Sequence, residues 1–124
     1  MSAPRLTPAL PEPIRPPAFA VGQPLRVADG PAVLIVEGEL DIATAPELDG
    51  RLRAVEDTAP RLLLDLRRLR FMDSTGLAVI ISCCHRRQSR GEEAPGLVVA
   101  EGQVRRVLEL TGCTALIQDA AALG

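Results

Sequence analysis

The chain of 124 residues contains no lysine, no tryptophan and no tyrosine, and its two aromatic residues are Phe19 and Phe71. Without lysine there is no Schiff-base nucleophile and no ammonium to grip a phosphate. Two phenylalanines cannot form a stacking platform for bases or a cage for a quaternary amine. Positive charge is not in excess, because 14 arginines face 16 acidic residues for a formal net charge of -2. Nucleic-acid binders use a basic surplus to displace counterions, so no nucleic-acid partner is expected. Three cysteines, Cys83 and Cys84 adjacent and Cys113 distant, form neither a disulfide framework nor a zinc spacing. They read as small buried hydrophobes in a reducing, cytoplasmic setting, with no metal or cofactor implied. No apolar run approaches the ~20 residues needed to span a bilayer, so membrane insertion is not expected. A glycine-rich phosphate loop and a Gly-x-Ser-x-Gly elbow are both missing, which disfavours an intrinsic kinase and a serine hydrolase.

What is present is organised in two parts. Seven of the 11 prolines fall within the first 24 residues. Proline at that density prevents a helix, and the segment has little apolar surface. Residues 1–24 are therefore expected to be a disordered extension, with Phe19 the one residue able to dock. Residues 25–124 are expected to form one domain with a single two-layer core.

Within that domain, Leu25 to Ala28 and the β-branched run Ala32 to Val36 read as a hairpin around Asp29-Gly30, with the first strand at the edge. Gly38-Glu39-Leu40-Asp41 reads as a loop leaving the sheet. Thr44-Ala45-Pro46-Glu47 opens a helix as a capping box with proline in the first turn. Ala45, Leu48, Leu52 and Val55 form its apolar stripe, and Pro60 follows its end. Leu62 to Leu66 reads as a central strand, and Arg67 to Arg70 as a charged turn. A helix is expected over 74–89, with Leu77, Ile80, Ile81 and Cys84 inward and arginines in the last turn. Leu97 to Ala100, a short helix containing Val104, Val107 and Leu108, and a last strand at Leu116-Ile117 complete the order. Strands alternating with helices predict an α/β fold with a mixed, mostly parallel sheet of four to five strands flanked by three to four helices.

Ser74 is the most informative candidate, since it follows a buried strand and begins a helix. A hydroxyl there suits a phosphoacceptor, because free N–H groups and the dipole of a helix N-terminus favour added negative charge. The alternative is that Asp73, Ser74 or Thr75 simply caps the helix. Gly76 implies close approach of the preceding loop or a partner to the first turn, or else tight packing against the sheet. If the strands ending near Val36 and Leu66 are parallel neighbours, Glu39 and Asp41 lie near Ser74, at the edge where ligands of open α/β sheets sit; the alternative is that both are ordinary solvated loop acids. His85, the lone histidine, lies eleven residues along the same helix, about 16 Å from Ser74 at ~1.5 Å per residue, too far for a catalytic pair.

Gly38-Glu39-Leu40-Asp41 followed by Thr44-Ala45-Pro46-x-Leu48 resembles the N-terminal signature of STAS domains. Leu62 to Leu66, then Phe71-Met72-Asp73-Ser74-Thr75-Gly76-Leu77, resembles that family's phosphorylation segment. The likeness runs from about Leu25 to Leu123 and points to the bacterial anti-sigma factor antagonists. It implies a STAS-like (SpoIIAA-like) fold. It also implies that Ser74 is phosphorylated by an anti-sigma serine kinase of the GHKL ATPase type, with Thr75 a minor acceptor. The unphosphorylated form would bind the anti-sigma factor and free a sigma factor, and a PP2C-type phosphatase would restore that form. Glu39, Asp41, Asp73, Ser74, Thr75, Gly76 and Leu77 are the partner-binding residues so implied. A non-switching STAS scaffold, stressosome-like or transporter-associated, is the competing reading.

Overall fold

The structure, a computed structural model, describes residues 18–26 and 30–123. The expected disordered extension lies outside these residues as far as residue 17, as do three residues of the expected hairpin, 27–29. The elements in chain order are β1 (Ala20–Val21), β2 (Leu25–Arg26), β3 (Ala32–Leu40), α1 (Ala45–Val55), β4 (Leu62–Met72), α2 (Ser74–Ser89), β5 (Gly96–Val98) and α3 (Gln103–Leu110). Two 3-10 turns, Thr114–Leu116 and Ala120–Leu123, close the described chain. The sheet runs β1-β3-β4-β5, with β2 also pairing with β3. β3, β4 and β5 are parallel, and the short β1 and β2 run antiparallel to β3.

The core follows from the alternation of the strands. Ala32, Leu34 and Val36 of β3 are buried in one cluster with Leu62, Leu64 and Leu66 of β4. The same cluster takes Leu48 and Leu52 from α1, Ile80 and Cys83 from α2, and Val104 and Leu108 from α3. Burial of each valine, leucine and isoleucine of this cluster contributes about 1.5–3 kcal/mol relative to exposure and accounts for the helices lying where they do. Val33 and Ile35 alternate to the other side, where they line a shallow cleft with Leu25 and Leu123.

Three expectations are corrected. The domain begins before residue 25, because Ala20 and Val21 pair with Glu37 and Val36. Arg51 of α1 fastens this strand by donating to the carbonyls of Val21 (2.8 Å) and Gly22 (2.5 Å). Gly38 sits at φ +98°, and a Cβ there would lie 2.7 Å from Phe19 Cα, so glycine admits the edge strand. Second, β3 continues through Leu40 and β4 through Met72, so neither the Gly38 loop nor the charged turn at Arg67 to Arg70 exists. β4 carries an extra residue where Ile35 to Glu37 faces Asp65 to Arg68, and another where Gly38 to Glu39 faces Leu69 to Phe71. These bulges bury Leu66, Leu69 and Met72 at steps of three and expose the arginines between them, which breaks the period-2 signature of a strand. Third, Leu116-Ile117 is not a strand. Thr114–Leu116 is a 3-10 turn, and Ile117 makes one isolated parallel bridge to Leu97.

Candidate functional site

The C-terminal ends of β3 and β4 deliver two segments to one edge of the sheet. Leu40 stands beside Met72 in the parallel register, and the Asp73 N–H donates to the Leu40 carbonyl at 3.1 Å. The loop 41–44 and the start of α2 are therefore neighbours, as the parallel arrangement required.

Asp73 is the N-cap of α2, in extended conformation. Its Oδ1 accepts from the backbone N–H of Thr75 (2.9 Å), the N–H of Gly76 (3.1 Å) and the Thr75 hydroxyl (2.5 Å). The Thr75 hydroxyl above all holds the Asp73 carboxyl below the usual aspartate range; burial opposes it, and the N–H groups of Gly76 and Thr75 add to the lowering. The cap is thus fully ionised at neutral pH. Its contribution is present above the unfolded aspartate value and is lost as pH falls through the depressed folded value. Ser74 is the first residue of α2 and is exposed, and none of these bonds uses its hydroxyl. The question between cap and free hydroxyl is answered by a division of labour in which Asp73 caps and Ser74 is presented. One expectation changes with it. The N–H groups of Thr75 and Gly76 already serve Asp73, so they are not vacant for a phosphate.

Asp41 is a loop-fixing residue rather than a freely solvated acid. Its Oδ1 accepts from the N–H of Ala43 (2.9 Å) and of Thr44 (3.1 Å), and from the Thr44 hydroxyl (3.2 Å). Thr44 is the N-cap of α1, yet its side chain makes no capping bond and Glu47 does not close a box. The Thr44 hydroxyl instead reaches back to the Glu39 carbonyl at 2.8 Å and accepts from the Asp41 N–H at 2.9 Å. The cap geometry failed because the local alternative, an Asx turn at Asp41, takes the threonine. Asp41→Ala is accordingly expected to cost about 1 kcal/mol of stability in a urea titration, and Asp41→Asn, which keeps one acceptor oxygen, less than half as much.

Glu39 is exposed and faces Arg70 at 3.7 Å. Gly76 is buried over Leu40. A Cβ at Gly76 would lie 2.4 Å from Leu40 Cγ and 3.2 Å from the Leu40 carbonyl oxygen. The close approach its glycine implied is therefore the end of β3. Gly76→Ala, which gains about 1 kcal/mol of helix propensity in open helices, is expected to lose about 1–3 kcal/mol here, read as a lower thermal midpoint, because Leu40 is fully buried and cannot yield. Leu77, at 7% exposure, packs into the core as its place on the inner face of the helix predicts, and it supports the surface from beneath.

The profile of the STAS domain family matches residues 23–122. The chain belongs to the STAS domain family. It is 36% identical over 92 residues to the anti-sigma-F factor antagonist RsfB of Mycobacterium tuberculosis, spanning 71% of this chain and 73% of that protein. The crystal structure of an anti-sigma factor antagonist from Mycobacterium paratuberculosis superposes with a TM-score of 0.67 at 29% identity, covering 86% of this chain and 90% of that one. The fold is also that of the anti-sigma factor antagonist SpoIIAA in its unphosphorylated form, with a TM-score of 0.67 at 21% identity over 83% of this chain and 88% of that one.

In this STAS domain two residues of the edge have no signal in the sequence motifs. Gln103, the first residue of α3, donates its Nε2–H to the Met72 carbonyl and accepts the Met72 N–H at Oε1, both at 2.9 Å. Its amide substitutes for a neighbouring strand where β5 has already ended, fixing β4 one residue before Asp73. Only the fold brings position 103 to position 72, so spacing could not reveal it. The other is Ile42, whose side chain is 75% exposed at the tip of the loop. His85 is exposed on α2, remote from Ser74 on the same helix. Burial pushes the Cys83 thiol up to about 12, so it carries no nucleophile. Among the described residues, no three His, Cys, Asp or Glu side chains gather as a metal site requires.

Proposed function

We propose that this STAS domain is an anti-sigma factor antagonist that works as a phosphorylation-controlled binding module, with Ser74 the acceptor. The observation that carries the proposal is the exposed Ser74 beside the Asp73 N-cap, flanked at one sheet edge by Glu39 at the end of β3 and the loop that begins at Asp41. The names of the relatives supply the class of partner. In the unphosphorylated state this edge binds a GHKL-type anti-sigma serine kinase and a sigma factor is freed. Phosphorylation of Ser74 breaks the complex, and a PP2C-type phosphatase restores it. Thr75 is a poor acceptor beside Ser74, because its hydroxyl is tied to Asp73.

The protein acts by binding rather than catalysis, in keeping with the antagonist names of its relatives. No helix among the described residues is long and apolar enough to cross a membrane, and we place the protein in the cytoplasm with its partners. The test is incubation with ATP and the GHKL-type anti-sigma kinases of the encoding organism, followed by mass spectrometry of the peptide 71–86. One phosphate on Ser74 is the expected result; no phosphate, or phosphate elsewhere, defeats the switch.

A further inference from the structure

Four large apolar side chains are exposed among the described residues: Leu25, Ile42, Phe71 and Leu110. Single exposed apolar residues are ordinary on protein surfaces. Two of these four, however, lie on the edge that carries Ser74. Phe71, 38% exposed, stands beside Glu39 in the parallel register, and Ile42 follows Asp41.

Ile42 is also held. Asp41 fixes the N–H groups of Ala43 and Thr44 beyond it, and Thr44 fastens Glu39 and Asp41 in front of it. A side chain on a loop so pinned loses little backbone freedom on binding, which is what makes an anchor effective. The same edge carries the carboxylates of Glu39, Asp41 and Asp73, and Glu47 lies in the first turn of α1. Arg70 is the one cation of β4 shown to pair with this group. An apolar tip on an edge with an acidic surplus has a definite complement.

We infer that Ile42 is the apolar anchor of the partner interface, seated in an apolar pocket rimmed by basic side chains on the anti-sigma factor. The inference rests on the antagonist reading above. Anchors of this kind are buried at interface centres and surrounded by contacts that exclude water. The acidic surplus of this edge sets orientation and association rate, and the isoleucine sets dissociation.

The experiment is calorimetric titration of the full chain and its variants against the organism's GHKL-type anti-sigma factors loaded with magnesium ADP. Ile42→Ala is expected to weaken binding about 10- to 30-fold and Ile42→Asp more than about 100-fold, with Ile42→Leu within about threefold of wild type. Thermal midpoints should stay within about 2 °C, because the side chain leaves the core untouched. Raising salt should slow association of all variants alike. If Ile42→Ala and Ile42→Asp bind within threefold of wild type while Ser74→Glu does not bind, the anchor is wrong and the antagonist reading stands. If the wild-type chain binds none of these factors, both fall.

Discussion

Ser74→Glu is expected to abolish binding to the cognate anti-sigma factor, while Ser74→Ala binds constitutively and is not released by ATP. The effect is local. Ser74 presents a small neutral hydroxyl at the head of α2, exposed and outside the capping bonds. Buried against a partner, that hydroxyl is inexpensive to desolvate. A phosphoserine brings a charge of about -1.5 to -2 at neutral pH. The preceding residue is Asp73, ionised and already bonded to the N–H groups of Thr75 and Gly76. The new charge therefore meets an occupied helix terminus and a like charge, and burying it without a cation costs several kcal/mol. Each 1.4 kcal/mol is about a tenfold loss of affinity, so release follows without any change of fold. Ser74→Ala leaves the Asp73 cap intact, and its stability should stay within about 0.5 kcal/mol of wild type. Equal binding of Ser74→Ala and Ser74→Glu in the same titration overturns the switch, as does release of Ser74→Ala by ATP. Ser74→Asp, shorter by one methylene and closer to Asp73, should be at least as severe.

The order of elements could be read from the sequence because it is written in local terms. Ala45, Leu48, Leu52 and Val55 recur at helical spacing and are the buried residues of α1. The 74–89 helix starts at its aspartate cap and ends before Gly91, which takes φ +78°. The placement of Ser74 beside Glu39 and Asp41 was also legible, since it needs only two parallel strands with right-handed connection. What escaped was set by pairing across the sheet. The bulges of β4 turn an alternating strand into buried residues every third position, and nothing within 62–72 announces them. The edge strand at Ala20 and Val21 owes its place to Arg51, thirty residues away, and to the missing side chain of Gly38. The role of Asp41 escaped for a different reason. An aspartate before Ile-Ala-Thr serves equally as a solvated charge or as an Asx turn, and only the bonds decide. Gln103 and Arg87 escaped because Gln103 bonds only backbone and Arg87 mainly backbone carbonyls, which leave no trace in residue identity.

Arg87→Ala is expected to produce the largest loss of stability of any single substitution considered, about 3–5 kcal/mol. Three arginines crowd the end of α2, where the helix dipole alone would explain them. Arg86 and Arg90 point to side chains, with Arg86 reaching Glu56 at 2.6 Å and Arg90 reaching Glu92 at 2.7 Å. Arg87 is fully buried. Its Nε donates to the Glu93 carbonyl at 2.6 Å, Nη2 to the Pro60 carbonyl at 3.0 Å, and Nη1 to the Glu56 carbonyl. Glu92 supplies the counter-charge at 3.0 Å. One guanidinium thus ties the connection from α1 to β4 to the connection from α2 to β5. Removing it leaves buried carbonyls without donors, at about 1–3 kcal/mol each when no water replaces them, and leaves Glu92 without its cation. Against a total stability of about 5–15 kcal/mol, the loss should lower the urea midpoint by a large fraction and the thermal midpoint by about 10–20 °C. Arg87→Lys should recover less than half, because a single ammonium cannot span carbonyls on two loops. Arg87→Met tests the packing of the stem alone and should be nearly as damaging as alanine. Both loops precede strands, at the opposite edge of the sheet from Ser74. The folded fraction of each variant should therefore still accept phosphate on Ser74 at the wild-type rate. If Arg87→Lys or Arg87→Met unfolds within about 1 kcal/mol of wild type, the carbonyl bonds contribute little and the buried arginine is held for its aliphatic stem.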